Sequence, residues 1–232
     1  MKFKLSILPA LLVPVLIFSS CKKDPEPYQE PAVASRSAIA EVPEGLENNP
    51  DPNAQAAKSW INVVNELASF SQKFVVPTSA EVEYEKKSNV YFWSDSGISY
   101  WMTFSYDNDQ YNWKFEYEVL NTNKILLIEA SEDMDHKSGT WTIYNQVFNT
   151  QKVWEYNWSL NASNDYLATI NFTGSAGYDL LRFEILVKTN ASGHVILHHG
   201  TQKLTEVNWN ADGSGSWWVY DLLLGSYSGT WN

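Results

Sequence analysis

Disulfides are excluded at the outset. The chain has one cysteine, Cys21, among its 232 residues, so no intramolecular bridge can form. Basic residues are scarce: 16 Lys and Arg stand against 27 Asp and Glu, a formal net charge of −11. That balance argues against nucleic-acid binding, which needs a basic footprint, and against a polybasic grip on anionic lipid. The uncharged run Leu5 to Ser20 is interrupted by Pro9 and Pro14. It falls short of the ~20 apolar residues a membrane-spanning helix requires. Catalytic and cofactor signatures are missing as well. There is no G-x-S-x-G, Walker loop, G-x-G-x-x-G or H-E-x-x-H, so the expectation is a non-enzymatic protein with no cofactor and no metal.

What is present begins with an address. Lys2 and Lys4 precede the uncharged run, which ends in small residues, as in a secretory signal over residues 1–20. Cys21 follows directly. Phe18-Ser19-Ser20-Cys21 resembles a bacterial lipobox, with Phe18 where Leu is usual. Lys22, Lys23, Asp24 and Glu26 resemble the Lys-plus-acidic export tag of surface lipoproteins in Bacteroidota. This resemblance covers about the first twenty-six residues. It implies acyl chains such as palmitate on Cys21 and attachment to the outer membrane, on its periplasmic or cell-surface side. Loss of Lys2 and Lys4 with the signal leaves 14 basic residues against 27 acidic, a formal charge of −13.

Residues 21–52 read as the lipidated Cys and a disordered tether. Lys22 to Pro52 holds six of the nine prolines and one aromatic, Tyr28. It has too little apolar surface to offset its ordering entropy, and as a coil it spans roughly 30 Å.

The folded domain is expected over 53–232. Asp51-Pro52 is a helix start signal, because Asp caps free backbone N–H groups and Pro suits the first turn. Trp60, Val63, Leu67, Phe70 and Phe74 then recur at helical spacing, widened by Ile61, Val64 and Ala68. After Pro77 the period falls to two: Tyr111, Trp113, Phe115, Tyr117 and Val119 alternate with Asn112, Lys114, Glu116 and Glu118. This is the pattern of a half-buried antiparallel strand.

The strands recur. Ser138 to Asn145, S-G-T-W-T-I-Y-N, returns as Ser214 to Asp221, S-G-S-W-W-V-Y-D. Four further blocks precede each copy in the same order, beginning Tyr91-Phe92-Trp93-Ser94 against Tyr156-Asn157-Trp158-Ser159. The copies span about 88–145 and 153–221, and a last S-G-T-W at Ser228 to Trp231 marks a closing strand over 226–232. The predicted fold is mainly β: a duplicated antiparallel meander of about eleven strands. A sheet this wide tends to curl or close, which predicts a barrel or half-barrel with the N-terminal amphipathic helix packed on it. The alternatives are a flatter meander or two stacked sheets. The architecture is similar to the unclosed barrels with attached helices of bacterial lipoprotein carriers, and to lipocalins, without a shared motif.

Candidate chemistry is sparse. Glu132, Asp133, Asp135 and His136 crowd one loop without the spacing of a calcium-binding EF-hand, and read as a solvated acidic turn. His194 and His198 share a strand face, four residues and about 13 Å apart, too far to hold one metal. Lys114 with Glu116, and Arg182 with Glu184, read as surface charge pairs. Trp101, Tyr144, Trp218 and Tyr220 fall on the face that should be polar, where exposed aromatics suit sugars or proteins.

These features predict a lipid-anchored outer-membrane protein that binds a ligand, preferentially apolar, in an aromatic-lined concavity. The alternative is a surface glycan- or protein-binding module using Trp101, Tyr144, Trp218 and Tyr220. The partners are then the membrane, through Cys21, and an apolar small molecule or a glycan, with no nucleic acid. Cys21→Ala is expected to move the protein from the membrane fraction to the soluble fraction. Immunoblotting of fractionated cells checks it, and a variant that stays with the membrane contradicts the anchor.

Overall fold

The computed structural model describes residues 41–68, 76–85, 87–120, 122–145, 151–173, 179–221, 223 and 225–232. The signal segment, Cys21 and most of the tether lie outside them, as do Phe70, Phe74 and Tyr178.

Among the described residues two helices precede the sheet: α1 (Glu44–Glu47) and α2 (Pro52–Ala68). Asp51 caps α2 as its position predicts: its Oδ1 accepts the Asn53 N–H at 2.7 Å. The buried line of α2 is Ala54, Ala57, Ile61 and Val64, all with no exposed surface, while Val63 is 38% exposed. The inward face is thus rotated from the expected Trp60–Val63–Leu67 stripe. Two alanines let the helix approach closely, and Trp60 is left at the side, 4.3 Å from the Phe183 ring.

The sheet has thirteen strands in sequence order, all antiparallel to their neighbours where paired, and it is not closed. They are β1 (Glu81–Glu85), β2 (Ser88–Asp95), β3 (Ile98–Asp107), β4 (Gln110–Val119), β5 (Ile125–Asp133) and β6 (Ser138–Tyr144). Then come β7 (Lys152–Leu160), β8 (Tyr166–Thr173), β9 (Asp179–Val187) and β10 (Gly193–His199). The last are β11 (Gln202–Trp209), β12 (Gly215–Val219) and β13 (Tyr227–Trp231).

Two expectations are corrected here. The strand count is thirteen, not eleven: β1 and β11 are additional. β1 is an acidic edge strand, exposed along its whole length. β11 separates the counterparts of the fourth and fifth sequence blocks. Finally, 41–52 is not tether. Leu46 is fully buried, Gly45 seats against the backbone of Asp212 and Gly213, and Asn49 Nδ2 donates to the Asn232 carbonyl at 2.9 Å. The small apolar anchor Leu46, next to a glycine with no Cβ, ties this segment to the far end of the chain.

One face of the sheet is apolar. Phe104, Trp113, Ala130, Trp141, Tyr156, Ile170 and Phe183 stand directly opposite one another from β3 to β9. Stacked rings fill this face, among them Trp113–Trp141 at 6.2 Å and Trp158–Tyr166 at 6.2 Å. Helix α2 covers it over β10, β11 and β12.

The recurring S-G-x-W has a mechanical meaning, which Gly193 shares although Val195 stands where the motif has Trp. Gly139, Gly193, Gly215 and Gly229 each stand opposite an indole: Trp158, Trp209, Trp231 and Trp217 in turn. A Cβ at Gly139 would lie 2.7 Å from Trp158 Nε1, and one at Gly229 2.8 Å from Trp217. At Gly193 and Gly215 it would collide with the rings of Trp209 and Trp231. Two of these indoles also hydrogen-bond the preceding turn. Trp209 Nε1 donates to the Ala191 carbonyl at 2.9 Å and Trp231 Nε1 to the Gly213 carbonyl at 2.7 Å. Gly215→Ala is therefore expected to destabilise the fold by roughly 1–3 kcal/mol, the usual cost of overpacking, as read from the urea midpoint at unchanged m-value.

Candidate functional site

The other face of the sheet is polar, and its central row runs in register across seven strands. From β3 to β9 it reads Thr103, Lys114, Glu129, Thr142, Glu155, Asn171 and Arg182. Period-two alternation puts these residues opposite the aromatic rows in each strand.

A depression of about 480 Å³ opens over the first part of this row. Lys114, Glu129, Thr142, Tyr144, Lys152 and Glu155 line it, with Ser105, Asn112, Ser131 and Thr140 beside them. Tyr144 donates its O–H to Glu129 Oε2 at 2.6 Å. Lys152 pairs with Glu155 Oε2, and Asn157 Nδ2 donates to Glu155 Oε1 at 3.1 Å. Thr140 Oγ1 donates to Asn157 Oδ1 at 2.8 Å. The Lys152 ammonium holds the Glu155 carboxyl below its usual range against the opposing effect of burial, and Asn157 adds to it. A carboxyl kept ionised in this way binds donors; it is not poised to give up a proton as a general acid.

A β-bulge creates the constellation. In a regular strand Lys152 and Glu155, three residues apart, would point to opposite faces. The register shifts between Ile143 and Tyr144, so that Lys152 pairs with Tyr144 and Val153 is the extra residue. Lys152, Glu155 and Asn157 then share the polar face.

The same hairpin is built again. Lys152 to Trp158 and Lys203 to Trp209 both read K-x-x-E-x-N-W. The register of β11 shifts at the equivalent point, between Leu197 and His198. Lys203 Nζ lies 2.7 Å from Glu206 Oε2, and Asn208 Nδ2 donates to Glu206 Oε1 at 3.0 Å. The hairpins β6–β7 and β10–β11 are four strands apart and run the same way. His198 occupies the position of Tyr144. It is 8% exposed, with Nε2 3.3 Å from Glu184 Oε2. The five-block comparison in the sequence paired Tyr144 with Tyr220 instead and passed over K-x-x-E-x-N-W, although the spacing is visible in the sequence.

The four aromatics expected as a site are all on the polar face and half-buried, but they are not brought together. Trp101 is in β3 beside Phe92, at 5.2 Å, under Lys124 Nζ at 4.0 Å. Both rings line a separate depression of about 390 Å³ over β1–β3. Tyr144 is in the 480 Å³ depression. Trp218 and Tyr220 lie at β12, roughly 29 Å from β6 at ~4.8 Å per strand. There Tyr220 donates to Glu206 Oε2 at 3.3 Å. They do not form one planar row.

The acidic loop is internally bonded: His136 Nδ1 lies 2.9 Å from Glu132 Oε1, Asp135 pairs with Lys137 at 3.1 Å, and Ser138 Oγ donates to Asp133. Among the described residues no cluster of His, Cys, Asp and Glu is arranged to hold a metal. The charge pairs form: Lys114–Glu116 at 3.1 Å and Arg182–Glu184 at 2.7 Å. No helix among the described residues is long and apolar enough to cross a membrane. No family model matches the chain, and no curated protein matches it.

Burial, and then the hydrogen bond to Glu129, push the Tyr144 phenol up to about 12. The folded state thus favours the protonated phenol relative to the unfolded chain, whose tyrosines titrate near ~10. The stability this contributes is intact below about pH 10 and is lost as pH rises toward about 12. Tyr144→Phe should flatten the fall in stability over that window, as measured by urea unfolding at stepped alkaline pH. An unchanged slope would show that Tyr144 titrates normally.

Proposed function

We propose that this protein is a non-enzymatic, lipid-anchored outer-membrane binding protein that holds an uncharged saccharide on the polar face of its sheet. The observation that carries this reading is the 480 Å³ depression around Glu129, Tyr144, Lys152 and Glu155. Its rim interleaves donors and acceptors: two ammonium groups, two carboxylates, an amide and five Ser and Thr side chains. A polyol offers both in alternation, and Tyr144 supplies a ring with a polar tip beside them.

The apolar ligand finds little room on the aromatic face, where the depression among Met102, Trp113, Phe115, Ile128 and Trp141 is about 10 Å³, space for at most one water. The space left for it is a depression of about 360 Å³ over β7 to β10, where Leu167 and Leu186 stand beside Glu184 and His194; it is smaller than the one around Glu155. A protein partner is less well supported, since such interfaces centre on buried aromatic or Arg anchors, and most of the lining here is small and polar.

A glycan panel followed by calorimetry tests the proposal. Glu155→Ala is expected to weaken the saccharide by about tenfold or more, the scale of one hydrogen bond to a charged group. Trp218→Ala should leave the affinity unchanged. Failure of every uncharged saccharide to bind sinks the reading.

A further inference from the structure

We propose that the ligand is a linear, uncharged polysaccharide, laid across the strands from β3 to β9 with Lys152 and Glu155 near the middle of its path. This rests on the saccharide reading above and extends it to the length and charge of the ligand.

The first argument is continuity. A second depression of about 420 Å³ lies beyond the first, lined by Asn171, Thr173, Arg182, Gly200 and Thr201, with the apolar Phe172 and Leu181 at its edge. Lys152 and Glu155 line both depressions. The two therefore adjoin at this pair and together follow the polar row over six strand spacings, about 29 Å along the sheet; we treat them as one path. A single sugar would occupy a fraction of it. At the far end, none of the described residues lies within 4 Å of where a Cβ on Gly200 would stand.

The second argument is charge. Each cation in the groove has its own carboxylate on the same strand. Lys114 has Glu116, Lys152 has Glu155 and Arg182 has Glu184. Glu129 accepts the Tyr144 hydroxyl. The groove carries hydrogen-bonding groups along its length, with Phe172 and Leu181 at its far end, and its cations are neutralised locally. An anionic polymer would have to displace these carboxylates and approach a chain of net charge −11. A neutral polymer meets hydrogen-bonding groups without that cost.

The test uses the full-length protein in a detergent that is not a glycoside. Dimers and hexamers of the malto-, xylo- and laminari-oligosaccharide series are titrated by calorimetry. In the series that binds, the hexamer should bind about tenfold tighter than the dimer or better. Arg182→Ala, and Asn171→Ala as a second variant at the same end, should lower hexamer affinity several-fold and leave dimer affinity unchanged. Affinity should hold between about 50 and about 500 mM salt, because no net charge is exchanged. Equal affinities for dimer and hexamer overturn the proposal, as does loss of affinity with salt or an equal effect of both variants on both lengths. Absence of binding in all three series is a different outcome: it removes the saccharide reading itself, and this inference with it.

Discussion

The seating of indole rings against glycine backbones is the contact on which the rest of this sheet depends. Four glycines face four tryptophans across neighbouring strands, and none of the four has room for a Cβ. Each pair therefore admits one register. A slip of one residue would turn every side chain of a strand to the other face. Here that would drive Lys114, Glu129, Glu155 and Arg182 into the aromatic layer, where unpaired charge is costly. The glycine–tryptophan seats keep the two faces distinct, and the polar groove follows from that separation.

Within the polar face, the bulges do what alternation cannot. One extra residue, Val153 in β7 and Leu204 in β11, brings a lysine and a glutamate three apart onto the same side. Ion pairs this exposed contribute about 0–1 kcal/mol, too little to explain two such constructions as devices for stability. Their geometric effect is larger: each fixes an ammonium, a carboxylate and an amide in one plane of contact. The two copies have diverged at one position. Where the first has Tyr144 opposite its lysine, opening on a depression, the second has the buried His198. The repeat is a shared scaffold, and its first copy is the accessible one.

Much of the fold was legible because it rests on local rules. Asp51-Pro52 marked the helix start, Tyr111 to Val119 alternated plainly, and S-G-x-W marked strands that the sheet contains. The misses have physical reasons. β1 carries Glu81, Glu83 and Glu85, which suit an exposed edge that must not pair further, and such a strand shows no buried face to recognise. Ala54 and Ala57 look weakly apolar by size, yet they set the inward face of α2 because they permit close approach. Leu46 and Val42 stand isolated among prolines and acids, a composition typical of tethers, and only tertiary packing reveals Leu46 as an anchor. The groove was hidden because its members are scattered over seven strands. Register across the sheet unites them, and no window of sequence contains that information.

Antiparallel topology also fixes where the chain enters the fold relative to the groove. Successive hairpins alternate between the two ends of the sheet. Gly45 packs on the β11–β12 turn at Asp212 and Gly213, so the N-terminal segment arrives at that end. Ser105, Asn112, Ser131 and Thr140 of the first depression stand toward the same end, whereas Tyr144, Lys152, Thr173, Gly200 and Thr201 stand toward the other. The strands are seven to ten residues long from β3 to β10, which places roughly 20–30 Å of sheet between the two ends at ~3.3 Å per residue. The polar depressions therefore cross the sheet obliquely, while helix α2 packs on the aromatic face over β10 to β12. Docking of the N-terminal segment thus leaves the polar face clear.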